Sequence, residues 1–285
     1  VMAGYCLTGS TREHALFFVH GPGGAGKGTF VNTLQWILGD YSAVASMETF
    51  TESRNERHST ELAMLRGARM VTAQETEEGR RWAESRLKAL TGGDPITARF
   101  MRMDNFTFVP QFKLVIAGNH RPGLRNVDEA IRRRMNLIPF TAKVDPAERD
   151  NNLPDKLRAE AEGILAWAIE GCTKWQRSGI RQSERVSEAT GEYLETEDTI
   201  GTWLEECCVR GDACRAKRSD LYASYKAWAE ANGEFAVPLK RWVPQMDSRG
   251  LEAKKSSGVP TVIGLGILPG MGAADFARAA GRRVE

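Results

Sequence analysis

The run Gly21-Pro22-Gly23-Gly24-Ala25-Gly26-Lys27-Gly28-Thr29 sets glycines around a single lysine. Glycines let the backbone curl until successive N–H groups converge on one group of phosphate oxygens. A helix N-terminus adds a favourable dipole and the lysine adds a point charge. That chemistry is the cradle of a nucleoside triphosphate. Gly28 departs from the pattern G-x-x-x-x-G-K-[ST], because it stands where a hydroxyl would reach Mg²⁺. Thr29 or a water is the alternative ligand. An ordinary glycine-rich turn is the competing reading, and the elements flanking the loop argue against it.

Carboxylates are expected at a second place. Arg69-Met70-Val71-Thr72-Ala73 is an apolar, strand-like run, and Glu75 and Glu77 follow it with the two-residue spacing that puts side chains on one face of an extended chain. At the carboxyl end of a strand in an α/β sheet, such a pair suits metal binding and water activation. Phe112 to Gly118 forms a third apolar run and delivers Asn119 to the same edge. There the amide can orient an attacking water, or it can close a turn through a backbone bond. Arg132, Arg133 and Arg134 are consecutive, so at about 100° per residue they cannot share one helix face. Some could reach a neighbouring subunit's phosphates while others pair with acidic residues or stay solvated.

The elements that must position these groups come in a consistent order. Ala15 to Val19 reads as a buried parallel strand before the loop, and Phe30, Leu34, Ile37 and Leu38 recur at helical spacing after it, with Gly39 as the stop. Short helices are expected over Glu61 to Leu65 and Gly79 to Leu90. Ile96 to Met103 and Phe106 to Val109 read as a hairpin turning at Asp104-Asn105, with Arg99 and Arg102 on its first arm. Leu137 to Phe140 is a further strand. A long helix from Pro154 to Gly179 carries Leu157, Ala161, Ile164, Leu165, Ala168, Cys172 and Trp175 as a core-facing stripe. The polar segment 178–188 reads as a linker.

A smaller domain is expected beyond it. Helices around Ile200 to Cys207, Leu221 to Trp228 and Leu239 to Met246 precede a hairpin formed by Leu251 to Lys255 and Pro260 to Leu268, the order of a winged helix. Lys240, Arg241, Arg249, Lys254 and Lys255 could touch phosphates or simply be solvated. The tail after Pro269 reads as weakly ordered. The domain reading is therefore a phosphate-loop core over 1–150, a helical extension and linker over 151–185, a winged-helix-like domain over 186–268 and a tail over 269–285. The fold class is α/β.

Composition narrows the possibilities. The chain has 285 residues, 41% hydrophobic and 27% charged, with a formal charge of +2. That is ordinary for a soluble protein, and any nucleic-acid contact must come from local basic clusters. Five cysteines without a paired framework suit a reducing compartment, and Cys207, Cys208 and Cys214 lack the spacing of a zinc site. No run approaches the roughly 18 apolar residues of a membrane span and no signal peptide opens the chain, so a cytoplasmic location is expected. The start at Val1-Met2 falls in mid-pattern, and the chain is expected to be part of a longer polypeptide.

Five segments, GPGGAGKGTF, RMVTAQETEEGRRW, LKALTGGDPITARF, PQFKLVIAGNHRP and DEAIRRRMNLIPF, together resemble superfamily 3 helicases of the phage and plasmid primase-helicase type, related to the poxvirus primase-helicase. The resemblance covers Gly4 to Val144 closely and Tyr193 to Leu268 more loosely. It implies an AAA+-like ATPase core that assembles as a ring, a homo-hexamer, and moves on single-stranded DNA to open a replication fork. The setting would be the cytoplasm of a bacterial host, with a primase domain upstream. It further implies ATP and Mg²⁺ at a seam between subunits: Lys27 on the β and γ phosphates, Glu75 with Thr29 on the metal, and Glu75 or Glu77 polarising water. Asn119 would be the γ-phosphate sensor, and Arg133 or Arg134 the arginine finger acting in trans. Lys88, Arg99 and Arg102 would fall in the DNA-engaging segment. The residues alone also allow a non-unwinding loader ATPase or, less favourably, a phosphate-loop small-molecule kinase.

Overall fold

A computed structural model describes residues 1–52, 59–74, 79–125, 127–256 and 258–281. The chain divides into two compact units, one formed by Val1–Leu124 with Glu129–Glu192, the other by Arg125–Asp128 with Tyr193–Glu285.

The first unit is built on five parallel strands. In chain order its elements are α1 (Met2–Cys6), β1 (Leu16–His20), α2 (Lys27–Leu38), β2 (Ser42–Val44), α3 (Ser59–Ala63), β3 (Met70–Gln74), α4 (Glu84–Gly92), β4 (Ile96–Ala98), β5 (Phe106–Phe108), β6 (Lys113–Gly118), α5 (Glu129–Arg132), β7 (Met135–Pro139), α6 (Leu153–Ala159), α7 (Ala161–Ser178) and the first part of α8 (Glu184–Glu197), which passes into the second unit at Tyr193. The sheet runs β2-β3-β6-β1-β7, every pair parallel. Leu16 to Val19, Met70 to Ala73 and all of β6 are buried. Strands covered on both faces read as continuous apolar runs, which is why β1, β3 and β6 stand where those runs do. The chain leaves β1 toward β2 on one side and returns through β7 on the other. The carboxyl end of β1 is therefore the switch point of the sheet, where α/β folds bind ligands.

On one face, α1, α2 and α7 cover the sheet through Tyr5, Cys6, Phe17, Val19, Val31, Leu34, Val115, Ala168 and Trp175. Contact between α1 and α7 is backbone to backbone. A Cβ on Gly4 would lie 2.0 Å from the Cys172 amide nitrogen and 2.4 Å from the Ala168 carbonyl oxygen. One cation is buried in the sheet: Lys113, 1% exposed, donates from Nζ to the carbonyls of Thr8 and Gln111 and lies 4.9 Å from the Tyr5 ring centre. Burial lowers its pKa to about 8.

The second unit contains α9 (Thr199–Cys207), β8 (Cys208–Lys217), α10 (Arg218–Ala231), α11 (Leu239–Ser248), β9 (Ala253–Ser256), β10 (Val259–Ile267) and α12 (Ala273–Gly281). Its antiparallel sheet runs β8-β10-β9. Trp203, Tyr225, Trp228, Trp242, Val262 and Leu265 centre its own core.

Several sequence expectations change. The helix expected from Pro154 to Gly179 is two helices, because Glu160 leaves helical geometry with φ −93° and ψ 12°. Its stripe is only partly core: Ala168 and Trp175 are buried, whereas Leu165 is exposed and Trp167 and Ile169, outside the stripe, are exposed as well. The segment read as a linker is helical from Glu184 onward. The stretch after Pro269 forms α12, whose Phe276 packs on the second core together with Met271. Arg249 is not a free phosphate contact. It pairs with Asp198 at 2.6 Å, and Asp198 also caps α9 through the Gly201 amide at 3.0 Å.

Candidate functional site

The glycine-rich run leaves β1 at the switch point and becomes α2 at Lys27. Gly21 is required by space: a Cβ there would stand 1.9 Å from the Phe140 carbonyl oxygen, because the chain after β7 runs alongside, with the Phe140 amide bonded to the His20 carbonyl at 2.7 Å. Gly26 caps α2 in the left-handed region, φ 83°, a conformation that glycine adopts without penalty. The cap is a glycine, so no side chain of its own accepts from the first-turn amides, and no acidic residue lies in that turn. Helix N-termini normally recruit Ser, Thr, Asp or Asn for this purpose. At α2 the cap position holds a glycine instead.

Lys27 is 8% exposed, and its ammonium is fully engaged. Nζ donates to the carbonyls of Gly21 at 2.6 Å and Pro22 at 2.8 Å and to Asn119 Oδ1 at 2.8 Å. Burial lowers its pKa below the ordinary lysine value. Asn119 follows β6 directly, and β6 pairs with β1 so that Gly118 lies opposite His20. The two loops therefore start side by side, and the lysine of one meets the amide of the other. Burial, followed by the charge of Arg121, pushes His20 below its ordinary value.

Around Gly28 the structure brings in two residues that sequence reading misses. Gln74, the last residue of β3, donates from Nε2 to Asn32 Oδ1 at 2.6 Å, and its Oε1 lies 3.7 Å from where a Gly28 Cβ would be. An amide pair thus borders the position usually held by Ser or Thr. The signal was present, since Gln74 ends an apolar strand at the same edge as Asn119, but its partner on α2 is a tertiary fact. Thr29 is half-buried one residue further on. Glu75 and Glu77, the expected metal and water-activating carboxylates, lie outside the described residues.

The arginines separate sharply. Arg134 is 6% exposed: Nε donates to Thr91 Oγ1 at 3.0 Å, Nη1 donates to the Ala130 carbonyl at 2.7 Å, and Nη2 lies 3.4 Å from His14 Nδ1. Its guanidinium is spent within its own chain. Arg133 is exposed, and its guanidinium has no partner among the described residues. Of the expected DNA contacts, Lys88 is half-buried on α4, whereas Arg99 and Arg102 are exposed. These two lie in the loop between β4 and β5 and not on a strand arm, because the paired segments are only Ile96–Ala98 and Phe106–Phe108. Arg102 has φ 60°. Phe100 stacks on Phe106 at 5.4 Å and Phe106 meets Phe108 at 6.0 Å, so the base of the loop is an aromatic ladder with Arg66 over Phe106 at 5.1 Å. Met101 and Met103 are 76% and 64% exposed at its tip.

Residues 19–134 match the model of a family of unknown function, DUF5906. Over 248 residues the chain is 27% identical to a protein of Acanthamoeba polyphaga mimivirus named "Putative helicase", covering 80% of this chain and 26% of that protein. A Frog virus 3 protein of the same designation is 26% identical over 250 residues, covering 79% of this chain and 25% of the other. The chain thus spans about a quarter of the length of these curated relatives. Among solved structures, it is similar to the C-terminal region of NrS-1 in its apo form, with a TM-score of 0.49 and 15% identity over 85% of this chain and 55% of that one.

Proposed function

We propose that this chain is the motor part of an ATP-dependent DNA helicase. The observation that carries this is the Lys27 ammonium, held by two carbonyls of its own glycine-rich loop and by Asn119 at the end of the neighbouring strand. A buried lysine, a helix N-terminus capped only by glycine and a polar residue from the adjacent strand end are among the parts that phosphoryl transfer uses. The similarity to viral proteins named as helicases supports nucleic acid as the track on which that energy is used.

In this reading the loop amides of Gly23 to Lys27 take the β and γ phosphates, and Lys27 turns its charge from the Gly21 and Pro22 carbonyls to the phosphate oxygens. Asn119 is then released to orient the attacking water. Thr29, with Glu75, would hold Mg²⁺, which neutralises phosphate charge when bound. The residues present fit that ion through the half-buried Thr29 hydroxyl. Glu75 or Glu77 draws the proton from water. Arg133 completes the site of a neighbouring copy in a ring, a homo-hexamer in the fullest form of the proposal. Arg99 and Arg102, above the aromatic ladder, face a single strand, since phosphate charge and base stacking are its two general handles. The helix, strand, helix, helix and hairpin order of the second unit supports a winged-helix role for that unit.

The test is ATP hydrolysis with and without saturating single-stranded DNA, together with displacement of an annealed strand. Hydrolysis stimulated by DNA and coupled displacement are expected, both abolished by Lys27→Ala. Turnover that ignores DNA, or hydrolysis intact in Lys27→Ala, refutes the proposal.

A further inference from the structure

A second cation lies against the phosphate loop from within the same chain. Beyond β7, a short 3-10 turn over Pro146–Glu148 brings the chain back to Arg149, whose backbone is extended at φ −70° and ψ 122°. An ideal Cβ on Gly24 would be 2.9 Å from Arg149 Nη2 and 3.6 Å from its Cζ. The guanidinium therefore rests on the middle of the glycine-rich run, at the point where glycine, with φ 80°, leaves room for it.

Of the carboxylates near Arg149 in sequence, Asp145 and Asp150 are bonded elsewhere, and Glu148 is exposed and makes no ion pair with it among the described residues. Asp145 accepts from the Ala147 amide at 2.8 Å. Asp150 accepts from the Asn152 amide at 2.9 Å and pairs with Lys156 at 2.7 Å. The Asp150 carboxylate thus goes to a lysine, and Arg149 is exposed with no bonded partner among the described residues. The segment Gly21 to Thr29 contains no acidic residue to attract it. An unpaired guanidinium beside an uncapped helix N-terminus is an arrangement that gains its partner only when an anion arrives.

We infer that Arg149 is a phosphate-binding residue acting in cis, closing over the loop to contact the terminal phosphates of the bound triphosphate. This rests on the reading of the loop as a triphosphate site and adds a residue to it. Lys27 lies beneath the loop as a buried point charge, whereas Arg149 approaches from solvent with a planar fork that suits two phosphate oxygens at once. Being exposed and unpaired, it can be replaced without removing any contact that holds the fold.

The experiment is equilibrium titration of fluorescent ATP and fluorescent AMP analogues into the parent protein, Arg149→Ala, Arg149→Lys and Lys27→Ala, with circular dichroism confirming that each is folded. Arg149→Ala should weaken ATP binding about ten- to a hundredfold, the range of a lost charge-assisted contact. AMP affinity should stay within about twofold, and Arg149→Lys should recover part of the loss. ATP affinity unchanged in Arg149→Ala overturns the inference, and so does a parallel loss for ATP and AMP, which marks a structural role. A parent protein that binds no ATP refutes the triphosphate site itself, and this inference falls with it. Loss of ATP binding in Lys27→Ala but not in Arg149→Ala leaves the site standing and removes Arg149 alone.

Discussion

At the scale of residues, the bond between Lys27 and Asn119 is the contact from which most follows. Asn119 holds one of the three acceptors of the ammonium, so Asn119→Ala leaves Lys27 with its two carbonyl partners and the loop intact. ATP affinity should stay within about threefold while kcat falls about ten- to a hundredfold, the cost of losing a group that orients the reacting water. Steady-state kinetics with separate nucleotide binding measures both, and a fall in affinity with unchanged kcat would assign Asn119 to binding instead. Asn119 and Lys27 were legible one by one, as a polar residue ending an apolar strand and a lysine ending a glycine run. That they touch was not, because 92 positions separate them and only the pairing of β1 with β6 brings them together. The roles of Arg133 and Arg134 were equally closed to sequence, since three adjacent arginines look alike until Thr91 and His14 hold one of them.

The strands and helices show where periodicity informs and where it fails. β1, β3 and β6 are buried on both faces, so unbroken apolar runs marked them. β2 is three residues at a sheet edge, too short for any period to register. β8 is missed for the opposite reason: Val209 to Ala213 are exposed, so a ten-residue strand reads as a polar loop. Lys113 gives β6 a titration signature. Its pKa is about 8 when folded and about 10.4 in an unfolded chain. Between those values the unfolded state binds more protons, so this group raises stability as pH rises and imposes its full penalty below pH 8. Cys6, pushed up to about 11, and Tyr5, pushed up to about 12, act in the opposite sense. Comparison with Lys113→Met removes most of their influence. Relative to that variant, the parent protein should gain up to about 3 kcal/mol between pH 7.5 and 10 in urea denaturation. A stability difference, parent minus variant, that stays constant or falls over this range contradicts the assignment.

For the whole molecule, the proposed ring turns on a contrast between two neighbouring arginines. Arg133 is exposed while Arg134 is consumed internally, so hydrolysis should depend on neighbours. Arg133→Ala should bind ATP like the parent protein and hydrolyse it about 10³-fold more slowly, the effect of a missing trans arginine. Mixed with Lys27→Ala, which keeps Arg133 but lacks the lysine, it should regain activity through seams that combine one intact loop with one intact arginine. Turnover measured across mixing ratios reports this, and mixtures no more active than either variant alone would place Arg133 outside the shared site.

One strand joins the two ends of this mechanism. β6 begins four residues after the hairpin, past Val109, Pro110, Gln111 and Phe112, and ends at the side chain that grips Lys27. At about 3.3 Å per residue it is a rod of about 20 Å, clamped on both sides by parallel neighbours. In the proposed motor, the residue that phosphate would free from Lys27 and the methionine-tipped loop thus stand at opposite ends of one clamped strand.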